Sequence, residues 1–240
     1  MKSFYTLVVF LCSLTAIAQA QSTEFFREVD YPVSQVFIPE GFDDNDAIQF
    51  VVQGNFPNSC YQVGNLDTQL DTETNKLYVK LTAYEYKGKC SEFPSPFHLE
   101  VYAGLLGRAG SYGVYDKNTG LYLGALNVEK AKPVGAGTDE ITYAPILDAF
   151  LNQSAEKNEL VIRGAFAWSC LKVSKVKVIV QRDVVVVLPE VGKIEGEKCV
   201  VEHTPFEEKV IVSDPLPKKE FLLHARSSGG QAINKMVHPR

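Results

Sequence analysis

Gly54-Asn55-Phe56-Pro57-Asn58-Ser59-Cys60 recurs 110 residues on as Gly164-Ala165-Phe166-Ala167-Trp168-Ser169-Cys170. Both stretches read G-x-F-x-x-S-C. Downstream, Lys89-Cys90, Pro96-Phe97 and Val101 match Lys198-Cys199, Pro205-Phe206 and Val210 at an offset of 109, both reading K-C-x5-P-F-x3-V. At that offset Tyr112 meets Phe221, Val114 meets Leu223 and Gly120 meets Gly229. Identities held in register across a single-residue indel mark an internal duplication. The expected organisation is copy 1 at 21–130, a linker at 131–138 and copy 2 at 139–240. The linker region, Lys130-Ala131-Lys132-Pro133-Val134-Gly135-Ala136-Gly137, is rich in small residues and proline.

The duplication also selects among disulfides. Cys60, Cys90, Cys170 and Cys199 allow three pairings. If each copy folds alone it pairs its own cysteines, giving Cys60–Cys90 and Cys170–Cys199. Each bridge then closes a loop of about 30 residues, worth roughly 3–4 kcal/mol in the chain-entropy model. That matters for domains of about 100 residues with modest cores. No C-x-x-C spacing points to thiol redox chemistry.

Local patterns are those of strands. Leu77, Val79, Leu81 and Ala83 alternate with Tyr78, Lys80, Thr82 and Tyr84. Val176, Val178 and Val180 alternate in the same way, as do Phe97, Leu99 and Val101. Val184 to Leu188 is continuously apolar, as a strand buried on both faces would be. Turn signals fall at Asp43–Asp46, at Asp116-Lys117-Asn118-Thr119-Gly120 and at Ser227-Ser228-Gly229-Gly230. Helical periodicity is weak, with one short turn expected at Ile146 to Leu151. Short strands at regular spacing in a 100-residue unit predict an all-β chain of two tandem immunoglobulin-like (Ig-like) β-sandwich domains.

A resemblance fits these residues. Gly54-x-Phe56-Pro57-x-x-Cys60, Cys90-x5-Pro96-Phe97 and Gly110-Ser111-Tyr112-Gly113-Val114 are similar to a small disulfide-stapled Ig-like domain of secreted and periplasmic bacterial proteins. The resemblance covers nearly all of copy 1. It covers copy 2 less well, because Glu220-Phe221-Leu222-Leu223 replaces the glycine-led final motif. It implies a sandwich used for binding or scaffolding, with no catalytic residues to carry over.

The N-terminus reads as a secretory signal. Lys2 precedes an apolar stretch from Phe4 to Ala18, and Ala18-Gln19-Ala20 fits the small-x-small rule, so cleavage is expected after Ala20. Cys12 lacks the preceding small residue of a lipoprotein signal. No later segment is apolar for long enough to span a bilayer, so no membrane span is expected in the mature chain. The expected location is the periplasm or outside the cell. A net charge of −5 argues against nucleic acid as a partner.

Within the matched motifs no His, Asp or Glu recurs, so any catalytic site would belong to one copy or to the seam between them. The expectation is no enzyme, no cofactor and no metal site. His98 and His224 are placed outward on strands, His203 in the Cys199–Pro205 loop and His238 in the tail, with no metal-binding spacing. There is no G-x-S-x-G elbow, and Ser59 and Ser169 beside the cysteines are expected to bond loop backbone. Asp43-Asp44-Asn45-Asp46 has oxygen ligands for calcium but lacks the spacing and distal Glu of an EF-hand, which favours a solvated turn.

The copies differ in aromatic content and charge. Copy 1 holds nine tyrosines and copy 2 only Tyr143. Tyr78, Tyr84, Tyr86 and Tyr102 alternate with core positions and are expected to line an outer binding face, since tyrosine gives rigid contact area with a polar tip. From Glu24 to Lys130 the net charge is −7, and from Asp139 to Arg240 it is zero. The expected role is a non-enzymatic binding or structural module recognising a protein or glycan of the cell envelope. One alternative is an inhibitor of secreted proteases acting through the Gly104–Gly110 or Asp214–Lys219 loop. The other is a hydrolase with a site assembled in one copy or between copies.

Overall fold

In the computed structural model, which describes residues 25–131, 142–154 and 157–239, the chain forms sixteen β-strands and one short 3-10 turn. The expected signal segment with its cleavage after Ala20, and the expected linker beyond Ala131, lie outside the described residues.

The first nine strands are β1 (Phe26–Tyr31), β2 (Gln35–Phe37), β3 (Phe42–Asp43), β4 (Ile48–Phe56), β5 (Tyr61–Asp71), β6 (Lys76–Tyr86), β7 (Ser95–Gly104), β8 (Gly110–Asp116) and β9 (Tyr122–Glu129). β2, β4 and β7 make one sheet, and the other six strands make a second. Along one edge of β6 runs β5; along the other, β8 pairs in parallel with Lys76–Val79 and β1 pairs antiparallel with Leu81–Tyr86. The period-two reading of β6 is seen directly. Leu77, Val79, Leu81 and Ala83 are fully buried, while Tyr78, Lys80, Thr82 and Tyr84 are half-exposed. They pack with Ile48, Phe50 and Val52 of β4, Val101 of β7 and Tyr112 and Val114 of β8 into one core. Burying each such apolar side chain stabilises the fold by about 1.5–3 kcal/mol. At the start of β8, the Tyr112 hydroxyl donates to the Arg108 carbonyl at 2.7 Å.

The remaining strands are β10 (Ile146–Gln153), β11 (Asn158–Trp168), β12 (Leu171–Val180), β13 (Val184–Lys193), β14 (Val201–Ile211), β15 (Phe221–Ser227) and β16 (Gln231–Val237). Their sheets run β10-β11-β14 and β12-β13-β15-β16. The order repeats β2-β4-β7 and β5-β6-β8-β9, and the parallel pair recurs: Leu77 faces Val114, and Val185 faces Leu223. Even the place of β1 is filled, by an isolated bridge between Tyr143 and Glu190 on the free part of the β13 edge. No strand before residue 130 pairs with one after 142 among the described residues.

The short helical turn expected at Ile146–Leu151 is strand β10. A bulge between Ile146 and Asp148 inserts one residue, so Ile146 and Ala149 both turn into the core three positions apart. That spacing imitates a helical period. The disulfides are Cys60–Cys90 and Cys170–Cys199, with Cα atoms 5.3 and 4.8 Å apart. Ser59 and Ser169 act as expected: each hydroxyl accepts a backbone N–H across its disulfide loop, from Ser91 and Val200.

The two halves meet face to face. The side of β13 and β15 turned away from the second core carries Val184, Val186, Leu188 and Leu222, and these bury Phe37 of β2 and Val51 of β4. Hence Val184–Leu188 is apolar without alternation: odd positions fill the second core and even ones the seam. An apolar contact of this kind holds two units together, whereas a small polar one would leave them free to move.

Candidate functional site

Two regions gather polar and aromatic side chains: the outer face of the six-stranded sheet, and the seam between the halves.

On the outer face, Tyr78, Tyr84 and Tyr86 all project from β6 away from the core. They divide into two aromatic groups at opposite ends of the strand. Phe26 packs edge-on against Tyr84 at 5.1 Å and tilts against Tyr86 at 5.5 Å. At the other end Tyr115 lies 5.9 Å from Tyr78 and 5.3 Å from Tyr122. Between them runs a polar strip. Thr82 and Asn65 donate to Glu28 at 2.6 and 3.0 Å, and Lys80 pairs with Asp30 at 3.2 Å. On the opposite side of β6, where Glu85 alternates with Tyr84 and Tyr86, hydrogen bonds from Arg27 and Tyr61 hold its carboxyl below its usual range. Tyr102 does not belong to the outer face of this sheet. It lies on β7 in the other sheet, opposite Gln49, and is 62% exposed.

At the seam, Arg226 projects from β15 toward the first half and is almost fully buried. Its Nη1 pairs with Asp46 Oδ2 at 2.9 Å and donates to the Tyr143 hydroxyl at 3.2 Å. The guanidinium lies over the Phe42 ring at 4.4 Å, with Tyr143 at 5.7 Å. Asp46 also accepts the Asp43 N–H, and Asp44 accepts the Ala131 N–H, both at 2.9 Å. The acidic turn is therefore held by hydrogen bonds within the first half and, through Asp46, by Arg226 across the seam. No group of three or more His, Cys, Asp or Glu side chains is arranged to hold a metal ion among the described residues.

His224 is not an outward surface histidine. It is 1% exposed, because the outer face of its sheet is covered by the first half rather than by water. Burial pushes its pKa down to about 4, against a hydrogen bond to the Asn234 side-chain oxygen that acts in the opposite sense. Nδ1 is 2.7 Å from the Asn234 side-chain oxygen, which only accepts. Nδ1 therefore carries the proton. The other nitrogen, Nε2, has no partner, nor does Nε of Arg226. Elsewhere along the seam, Glu220 lies 3.4 Å from both His98 and His238 and accepts from Gln53 at 3.1 Å. His203 is exposed on β14.

Of the two loops singled out in sequence, Gly104–Gly110 anchors Leu106 in the first core and leaves Leu105 66% exposed. In Asp214–Lys219, Leu216 packs on the second core. Comparison with known proteins finds no matching family model, no matching curated protein and no matching solved structure.

Sequence reasoning missed Arg226, Asp46, Phe42 and Tyr143 as one constellation. The available signal was a pair of runs that do not alternate, Ile48–Val52 and Val184–Leu188, marking sheets covered on both sides.

Proposed function

We propose that the chain is an exported, non-enzymatic binding module of the cell envelope, built as two tandem Ig-like sandwiches with one disulfide each. The matching strand order of the two halves supports the tandem reading. The Tyr112 hydroxyl bonded four residues back at the start of β8 supports Ig-like kinship, since it has the form of a tyrosine corner. The parallel pairs β6–β8 and β13–β15 depart from the purely antiparallel Ig sheets and mark a variant of that architecture. Paired disulfides suit an oxidising compartment, the periplasm or the exterior.

The observation that carries the binding reading is the pair of aromatic groups flanking a carboxylate-bearing strip on one sheet face. Rigid rings with polar tips beside Glu28 and Asp30 suit the hydroxyls and ring faces of a glycan or a complementary protein surface. Tyr84→Ser with Tyr86→Ser removes two of the three rings of one group, leaving Phe26, without touching the core. The expected result is loss of cosedimentation with insoluble envelope glycan, or of capture of a purified envelope protein. Equal binding by the wild type and the double variant would sink this face as the recognition surface.

A second reading rests on Leu105, held exposed on a loop pinned by Leu106. Such a loop suits insertion into a protease cleft. Leu105→Asp is then expected to abolish inhibition of secreted proteases, and a wild-type protein that inhibits none at micromolar concentration overturns the reading.

A further inference from the structure

β5 and β12 occupy the same place in the two halves, and each has one free edge. Among the described residues β5 pairs only with β6, and β12 only with β13. The backbone N–H and C=O groups along such an edge are open to pairing with another strand. Beside them lie apolar side chains that are only partly buried, Leu66 and Leu70 on the first core and Val176, Val178 and Val180 on the second. Each strand is bulged near its start, and beyond the bulge Leu66–Asp71 and Lys175–Val180 run in unbroken register. The edges of β7 and β14 are guarded by Pro96 and Pro205, which have no N–H to donate. The charges of β10 and β16, Asp148 and Lys235, are already paired with each other.

The two free edges differ in sign at equivalent positions. At the 110-residue offset, Gln62, Asn65 and Asp67 of β5 correspond to Lys172, Lys175 and Lys177 of β12. From Tyr61 to Asn75, β5 and the turn after it hold Asp67, Asp71 and Glu73 and no basic residue. From Leu171 to Val180, β12 holds the three lysines and no acidic residue. Asp71 is occupied in the turn, where it accepts from Thr74 and from the Glu73 N–H. Asp67, Glu73 and the three lysines are exposed, and none of them makes an ion pair among the described residues. Lys80, which faces Asp67 in register, is paired with Asp30.

We propose that these edges join copies of this chain, with β5 of one molecule docking along β12 of the next. The signs select the occupant. Lysines on an edge strand guard it against pairing with its own copy. Like charges opposed across two strands disfavour pairing and unlike charges favour it. Two β12 edges therefore repel, two β5 edges repel, and the mixed pair attracts. The contact joins unlike surfaces, so each added copy leaves an acidic edge free at one end and a basic edge at the other. The product is an open chain of molecules, or a ring where the rotation closes. A contact one strand wide belongs with the small, transient interfaces. Exposed charges supply its selectivity, so association is reversible and weakens with salt.

The test is sedimentation velocity on the intact oxidised protein alone, so its outcome is independent of the tyrosine face. Association is expected to rise with concentration at an ionic strength of about 0.01 M, where charges act over ~30 Å, and to fall at about 1 M, where they act over ~3 Å. Lys172→Glu, Lys175→Glu and Lys177→Glu together make both edges acidic. Asp67→Lys with Glu73→Lys makes both edges basic. Each variant alone should associate at least about tenfold more weakly than the wild type. An equimolar mixture of the two should associate again, because every edge then meets its opposite. All five side chains are exposed. If the triple variant does not fold, Lys175→Gln with Lys177→Gln takes its place and should weaken association in the same direction. The proposal is overturned if the wild type stays monomeric up to about 1 mM at low salt. It is equally overturned if a folded charge-altered variant associates as the wild type does, or if the mixture of reversed variants stays monomeric.

Discussion

The ring of Phe97 lies over Gly54, so close that a Cβ on that glycine would stand 2.2 Å from the ring's Cζ. The two residues face each other across β4 and β7. Gly164 and Phe206 face each other in the same way across β11 and β14, where a Cβ would reach Phe206 Cζ at 2.5 Å. The glycine of G-x-F and the phenylalanine of P-F are thus one structural unit in each half. Gly54→Ala is expected to destabilise the protein by about 1–3 kcal/mol, the usual cost of overpacking. Gly164→Ala should cost more, because its Cβ would also stand 2.0 Å from the backbone oxygen of Pro145, which cannot swing aside. Urea midpoints of the oxidised variants check both the cost and its order.

The disulfides support a second prediction. Each bridge spans about the same length of chain, 30 residues in one case and 29 in the other. Replacing either pair by alanines should therefore cost about 3–4 kcal/mol in the chain-entropy model, with neither half favoured. Non-reducing peptide mapping should recover only the two pairings within halves. A marked inequality between the two denaturation shifts would show that one bridge acts on the native state and not chiefly on the unfolded chain.

What was legible in the sequence follows from what each pattern depends on. The alternation of β6 reports a strand with one wet face, and the cysteine motifs report local closure; both depend on contacts within one half. His224 was misread because alternation names the face opposite the core, not what covers that face. Here the cover is Phe42, which meets the imidazole edge-on at 5.9 Å. The Asp46–Arg226 pair was hidden for the same reason, since its members lie 180 positions apart and meet only when the halves dock. The tyrosines were placed correctly relative to their strands. Whether two strands share a sheet is a matter of topology, and this is why Tyr102 falls on a different sheet from Tyr78, Tyr84 and Tyr86.

Removing Asp46 should show what the seam pair is worth. Arg226 is 6% exposed at its side chain and Asp46 16%. Asp46→Ala leaves the guanidinium buried without its counter-charge, a change that usually costs about 3–5 kcal/mol. The partial exposure of Asp46 puts the expected loss at the lower end of that range. Adding Arg226→Met removes the stranded charge, so the double variant should regain much of the stability. A double-mutant cycle by urea denaturation measures this directly, and strict additivity of the two losses would show the pair to be uncoupled.

His224 should give the protein an acid-sensitive step. Its ordinary pKa of 6.5 is lowered to about 4 in the fold, because burial excludes the charged form. Between those values the unfolded chain binds a proton that the folded chain refuses, so stability rises with pH across that window. The contribution is complete above 6.5 and is lost as pH falls toward 4, a span worth about 3 kcal/mol. Arg226 faces the imidazole and disfavours its charge, while Asn234 favours it. Carboxylates such as Asp148 and Glu207, whose pKa values are lowered by Lys235 and Arg163, lose stability as pH falls through their own lower values. Their effect remains in a variant that lacks His224. His224→Gln should therefore flatten the melting temperature between pH 6.5 and about 4 and leave the steeper loss below it. An unchanged slope in that variant would mean that the imidazole titrates as freely in the fold as in the unfolded chain.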